Sequence, residues 1–268
     1  MTTFIDRRAL LAGTAAGLIA APALVRAQAR TPLRVGVTAG PHAQILEAVK
    51  PVAAARGLDL RIVEFSDFIL PNAALAAGDL DLNSYQHKPF LDQQNADRKY
   101  GLVGVGFTVN FPIGVYSKRH KSFAEVPAGA QVSIPNDPTN GARALLLFRD
   151  KGLITLKDGV GLRPTVADIV HNEKRLRFIE LEAAQTARSL DDVAAAVINT
   201  NFALSVGLNP GRDAILREDP KGPYVNLIAV RDADKDKPWV KPFVESYQSA
   251  EVKAFIERTF QGSVLPSW

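Results

Sequence analysis

After residue 30 the chain alternates short β-rich runs with helix-forming stretches, and that alternation constrains the fold more than any other feature. Leu33-Arg34-Val35-Gly36-Val37 alternates like a strand, then Ala39-Gly40-Pro41 turns into a helix. Pro51 is expected to kink or end that helix, since it lacks a donor and its ring clashes one turn back. "LDLRIVEF" reads as the next strand. "DFILPNAALAAGDLDLNSYQH" reads as a short helix from about Asn72, stopped at Gly78, and a strand from Asp79 to Asn83. Strands alternating with helices predict an α/β fold with mostly parallel sheets.

Further along, "LVGVGFTVNFPIGVYSK" is a long extended stretch broken at Pro112, and "AQVSIPNDP" is a strand that feeds the helix "TNGARALLLF". "LRFIELEAAQTARSLDD" reads as strand then helix, and "VAAAVINTNFALSVGL" as strand, turn and helix. "YVNLIAVR" is a strand before closing helices. There is no repeat and no low-complexity linker. Two lobes, if present, are joined by the strands themselves, with Phe107–Lys118 and Tyr224–Arg231 as the candidate crossings. Open α/β sheets bind ligands beyond the carboxyl ends of their strands. That rule selects Thr38–His42, Phe65–Phe68, Asn83–His87, Asn110–Phe111, Asn136–Arg143, Asn199–Asn201 and Asn226.

Charge and composition remove several functions. The formal net charge is +4, of which Arg7, Arg8 and Arg26 against Asp6 supply +2 within residues 1–29, so the remainder is close to balanced. No basic stretch is interleaved with aromatics, which argues against nucleic-acid binding. With no cysteine, disulfides, thiolate metal sites and Cys nucleophiles are excluded. The start, "MTTFIDRRALLAGTAAGLIAAPALVRAQA", has a charged head, a weakly apolar middle and small residues for a cut after Ala27 or Ala29. It reads as a cleaved export signal, too short and too rich in Gly and Pro to be a good membrane span. Arg7-Arg8 resembles a twin-arginine signal; an ordinary secretory signal is the alternative. "LAGT" has Thr14 where a lipidated cysteine would stand, so no lipid anchor is expected. The mature protein is expected to be soluble, and periplasmic or secreted.

Three groups of residues offer binding chemistry. At Asn136–Arg143 a helix mouth presents free N–H groups, and Arg143 adds a planar fork suited to a carboxylate. The alternative is a plain helix cap with Arg143 in solvent. Phe65, Phe68, Tyr85, His87 and Phe111 form an aromatic and polar set in which an apolar or thioether side chain would fit. Any one of them, taken singly, reads equally as core. Asn199 and Asn226 each follow or interrupt an apolar strand, and a neutral amide oxygen there can accept from an ammonium. A helix cap and a turn are the alternatives. The four histidines, His42, His87, His120 and His171, show no chelating spacing. No P-loop, GxGxxG or HExxH occurs, and "RSLDD" lacks a nucleophile elbow. No metal, cofactor or catalytic residue is expected.

Four segments, "DFILPNAALAAGDLDLNSYQHKPFLD", "VPAGAQVSIPNDPTNGARALLLFRDKGLITLKDGVGLRPTVADI", "FIELEAAQTARSLDDVAAAVINTNFAL" and "DPKGPYVNLIAVR", strongly resemble the MetQ/NlpA lipoprotein family, the methionine-binding proteins of ABC importers. The resemblance covers Leu33 to Trp268. It implies a periplasmic-binding-protein fold, type II-like, in which two α/β lobes enclose a ligand cleft. Residues 30–112 with 228–268 would form lobe 1, and 113–227 lobe 2. It implies capture of L-methionine, with D-methionine, a derivative or another apolar amino acid as alternatives, and delivery to an ABC permease with its ATPase. The chain would act as a monomer. By motif, Arg143 is the expected carboxylate clamp, and Asn199 and Asn226 the partners of the amino and carboxylate groups. Phe68, Tyr85 and His87 line the side-chain pocket, with Phe111 beside it and Asn140 at the helix mouth. An enzyme or a sensor on the same fold are the rival readings. The chain departs from the family's pattern in lacking the lipobox cysteine, and in the order of its pocket rings, where Phe68 is often Tyr and Tyr85 often Phe.

Overall fold

The computed structural model describes residues Arg30–Trp268. The expected export signal lies outside the described residues. Strand β1 (Thr31–Thr38) leads through Gly40, at φ 84°, into helix α1 (Pro41–Ala55). A side chain at that φ would be strained, and Pro41 fits the first turn because its missing N–H has no partner there anyway. Ile45, Leu46, Val49 and Ala53 form the buried stripe of α1. The helix does not end at Pro51. That residue faces solvent, so its ring displaces no core contact, and burial of Ala53 beyond it holds the last turn.

Strand β2 (Leu58–Phe65) pairs parallel with β1 along its whole length. Helix α2 (Leu70–Ala77) stops at Gly78, whose φ of 87° gives a left-handed cap. Strand β3 (Leu82–His87) starts three residues later than the sequence suggests. Asp79–Asp81 are tied instead into the end of α2 and to Arg34, whose backbone N–H donates to the Asp81 carboxylate at 2.7 Å. Helix α3 (Lys88–Arg98) and strand β4 (Leu102–Asn110) follow.

At 111–113 the chain leaves this sheet and enters a second one through β5 (Gly114–Tyr116). Strand β6 (Gln131–Pro135), helix α4 (Pro138–Asp150), a small antiparallel pair β7 (Thr155–Leu156) and β8 (Ile169–His171), and strand β9 (Arg177–Leu181) come next. The helix expected after β9 is replaced by two 3-10 turns, Ala183–Gln185 and Arg188–Asp191. Thr186 bonds its hydroxyl back to the Ala183 carbonyl, and Ser189 back to that of Thr186. Such local bonds compete with a continuous helix. Strand β10 (Ala195–Ile198), helix α5 (Thr200–Ser205) and strand β11 (Leu216–Arg217) complete this sheet, ordered β11-β5-β10-β6-β9.

Residues 218–224 carry the chain back to β12 (Val225–Arg231), and helices α6 (Val240–Tyr247) and α7 (Ala250–Phe260) and strand β13 (Leu265–Pro266) close the fold. The first sheet is ordered β13-β4-β12-β3-β1-β2. The prediction of mostly parallel sheets holds for β1, β2 and β3 and for β6, β9 and β10. It fails at β12, which returns from the second sheet and so runs antiparallel to β3 and β4, and likewise at β5 against β10 and β11, at β13 against β4 and in the β7–β8 pair.

Each sheet has its own core. Leu33, Val35, Val37, Ile45, Leu46, Phe243 and Ile256 belong to one. Ile113, Val132, Ile134, Leu145, Phe148 and Val197 belong to the other. Burying one such side chain contributes about 1.5–3 kcal/mol, so each half carries its own stabilising interior. Among the described residues no helix is long and apolar enough to cross a membrane.

Candidate functional site

The helix mouth at Asn136–Arg143 is built by local rules. Asp137 caps α4: its Oδ1 accepts the Asn140 backbone N–H at 2.9 Å and the Thr139 hydroxyl at 3.0 Å. A Cβ on Gly141 would lie 2.7 Å from the Pro135 carbonyl oxygen, so glycine lets the first turn seat on the end of β6. Ala144 to Phe148 then bury in the second core. Burial raises the Asp137 pKa, opposed by its hydrogen bonds from Asn140 and Thr139. Between the two sequence readings of this loop, the structure displays the cap.

Beside that mouth is a small cavity. Both halves line it. Phe68, Tyr85, His87, Phe90, Phe111 and Asn226 come from the first, with His42 and Gln86. Asn140, Asn199, Thr200 and Asn201 come from the second. Seven of the eight sequence-expected site residues therefore meet at one place, although they are spread from position 68 to 226. The eighth, Arg143, does not line the cavity.

The rings form one wall. Phe68 lies 6.1 Å from Tyr85 and 6.2 Å from Phe90, centroid to centroid. It also meets Phe202 of α5 at 4.9 Å, joining the two halves. The Tyr85 hydroxyl donates to the Phe68 carbonyl at 2.9 Å, so Tyr85 offers the cavity its ring rather than its oxygen.

A polar chain crosses from one half to the other. His87 ends β3 and caps α3, its Nδ1 accepting the Phe90 N–H at 3.2 Å. The proton therefore sits on Nε2, which donates to Asn140 Oδ1 at 3.3 Å. The same oxygen accepts from Asn199 Nδ2 at 2.8 Å, and the Asn140 amide donates to both oxygens of Asp137 at 3.0 Å. Asn140 is thus fully engaged in holding its neighbours. Antiparallel pairing places Asn226 of β12 directly across from His87. Burial, reinforced by the Arg143 charge, pushes the His87 pKa down to about 3, and burial alone does the same to His42. Both imidazoles are neutral at ordinary pH.

Three buried polar atoms on the cavity residues have no protein partner: Asn199 Oδ1, Asn201 Nδ2 and His42 Nδ1. A buried amide without a partner costs roughly 1–3 kcal/mol. The wall therefore keeps one acceptor, one donor and one imidazole nitrogen unused. Among the described residues no cluster of three His, Cys, Asp or Glu side chains is arranged to hold a metal.

Arg143 departs from the expectation of a free clamp. Its Nε donates to Glu218 Oε1 at 2.8 Å, and its Nη2 to Glu218 Oε2 and to the Phe111 carbonyl, the latter at 2.9 Å. The guanidinium stacks over Tyr224 at 4.2 Å. Both features assigned to a ligand carboxylate, the helix mouth and the arginine, already hold carboxylates of the chain itself. Glu218 lies on the returning segment, 75 positions from Arg143, and no local pattern announces such a pairing. The guanidinium still borders the site, since Phe111 lines the cavity and the Tyr224 ring is 5.1 Å from His87.

Sequence reasoning did not single out Gln86, Phe90, Thr200 or Asn201 as site residues, nor His42. One signal was available: His42, Gln86, Thr200 and Asn201 all fall within the strand-end windows, while Phe90 lies in the first turn of a helix beyond such a window.

A model of the NlpA lipoprotein family matches residues 33–268. The D-methionine-binding lipoprotein MetQ of Escherichia coli K12 is 52% identical over 239 residues, 88% of each chain. The probable D-methionine-binding lipoprotein MetQ of Vibrio cholerae is 44% identical over 259 residues, 96% of each chain. A nutrient-binding protein of Burkholderia cenocepacia, solved bound to methionine, is 51% identical with a TM-score of 0.87, covering 88% of this chain and 100% of that one. The two sheets with separate cores are thus the two lobes of a periplasmic-binding-protein fold. The comparisons also correct the expectation of no lipid anchor: the matched family and both sequence relatives are lipoproteins by name. Thr14, on which that expectation rested, lies outside the described residues.

Proposed function

The chain belongs to the NlpA lipoprotein family, and from that premise we propose that it captures methionine between its two lobes and passes it to an ABC permease. It works on the extracytoplasmic side, and its role is binding rather than catalysis. The observation that carries this reading is the division of the cavity: a wall of rings at one side, unpartnered buried amide atoms at the other. A thioether suits the edges of Phe68, Tyr85 and Phe90. Asn199 Oδ1 is an acceptor for an ammonium and Asn201 Nδ2 a donor for a carboxylate. Asn226 and His87 shape the junction between those ends, Phe111 closes one side, and Asn140 fixes Asn199 in place. Arg143 lies behind the wall with its charge paired to Glu218.

Titration calorimetry on protein stripped of ligand tests the proposal. Stoichiometric binding of methionine, with weaker binding of leucine and of glutamate, is expected. No heat with either enantiomer of methionine, from folded protein, rejects it. The same titration separates L-methionine from D-methionine, the ligand named for the relatives.

The closing units are proposed to be residues 30–112 with 228–268, and 113–227. The first passage between sheets, 111–113, supports that division; the second, 218–224, ends before β12 and so moves Val225–Leu227, Asn226 among them, from the second unit to the first. A lower radius of gyration on saturation with methionine is the expected scattering result. Arg7-Arg8 is proposed to route export through the twin-arginine pathway. Replacing both with lysine should then block export.

A further inference from the structure

We infer that Glu218 sets the charge preference of the methionine site: by neutralising Arg143, it makes the cavity select a zwitterion over a simple carboxylate. This rests on the functional reading above and adds a specificity-determining residue that never touches the ligand.

Glu218 takes the Nε–Nη2 edge of the guanidinium with both its oxygens and also accepts the Ile113 backbone N–H at 3.2 Å. Its side chain is 13% exposed and that of Arg143 only 3%. One carboxylate therefore joins the outgoing passage at Ile113, the returning passage on which it sits, and helix α4. The positive charge it neutralises lies one carbonyl away from the cavity, through Phe111.

The other groups around the cavity do not replace that neutralising charge. His42 and His87 are neutral imidazoles. Asp137 is engaged by Asn140, Thr139 and the positive end of α4. The wall itself offers amides, a hydroxyl and rings. With Glu218 in place, a ligand carrying only a negative charge gains little from Arg143, whereas one with both charges uses the acceptor and the donor of the amides. Without the Glu218 charge, a buried arginine would face the cavity uncompensated. In a medium of intermediate dielectric such a charge acts strongly over several ångströms.

The test measures two affinities, for methionine and for its des-amino analogue, a carboxylate with the same thioether chain. The parent protein should favour methionine strongly. Glu218→Gln, isosteric and uncharged, should move the ratio toward the des-amino analogue by about tenfold or more. Glu218→Asp, which keeps the charge, should hold the ratio within about threefold of the parent. Arg143→Gln should move the ratio the opposite way, and it provides a reading if Glu218→Gln fails to fold. A folded Glu218→Gln protein with the parental ratio overturns the inference, as does an Arg143→Gln shift toward the des-amino analogue. If the parent binds neither compound, the functional reading itself fails. If it binds methionine and the ratio does not respond to the charge at 218, only this inference fails.

Discussion

The two lobes bring different chemistry to the same cavity. The first contributes the ring wall of Phe68, Tyr85 and Phe90, whose polar handles are already used: the Tyr85 hydroxyl on Phe68 and both His87 nitrogens on Phe90 and Asn140. The second contributes Asn199 and Asn201, which keep unused polar atoms. A ligand that satisfies both must be apolar at one end and doubly polar at the other, and it does so only with the lobes together. The Phe68–Phe202 contact and the His87–Asn140 bond already cross the seam.

Breaking the polar side should have the largest effect. Arg143→Ala leaves the Glu218 carboxylate buried without its partner, which costs about 3–5 kcal/mol. Denaturant unfolding should show that loss, and calorimetry should show methionine binding weakened well beyond tenfold. Phe68→Ala attacks the other side. Loss of a half-buried ring between Tyr85, Phe90 and Phe202 should lower methionine affinity by about 1.5–3 kcal/mol, read by calorimetry. Asn140→Ala tests the link between the two sides. It leaves His87 Nε2 and Asn199 Nδ2 without an acceptor and should cost about 1–3 kcal/mol of stability by chemical denaturation.

Acid sharpens the comparison further. The folded pKa values of His42 and His87 lie near 3, below the ordinary 6.5, so the unfolded chain binds more protons in between. Their contribution to stability is complete above about pH 6.5 and is lost as pH falls toward 3. The denaturation midpoint should drop through that window, and His42→Asn should flatten the slope. The smallest effect belongs to an exposed surface pair that does not line the cavity. Arg149→Ala removes an exposed ion pair with Asp150 and should change stability by less than about 1 kcal/mol.

Most of the architecture was legible because it follows local rules. Gly78 and Gly40 mark turns that need a left-handed backbone, and the apolar runs of β1, β6 and β10 announce buried strands. The 3-10 turns after β9 were not legible, since a periodic apolar pattern does not reveal that Thr186 and Ser189 will bond to their own backbone. Seven of the expected residues line one cavity because the carboxyl-end edges of both sheets face each other there. Phe90 was missed because it reaches the cavity from within a helix.

Sequence alone determined most of the strand–helix order and the stock of rings and amides available for binding. Tertiary structure alone decided which of those groups remain unused. Asn140 lies 53 positions from His87 and 59 from Asn199, and Arg143 lies 75 from Glu218. Turn chemistry and periodicity act over a few residues. Partnership across such separations depends on where the chain crosses between lobes, and so it is visible only once both crossings are in place.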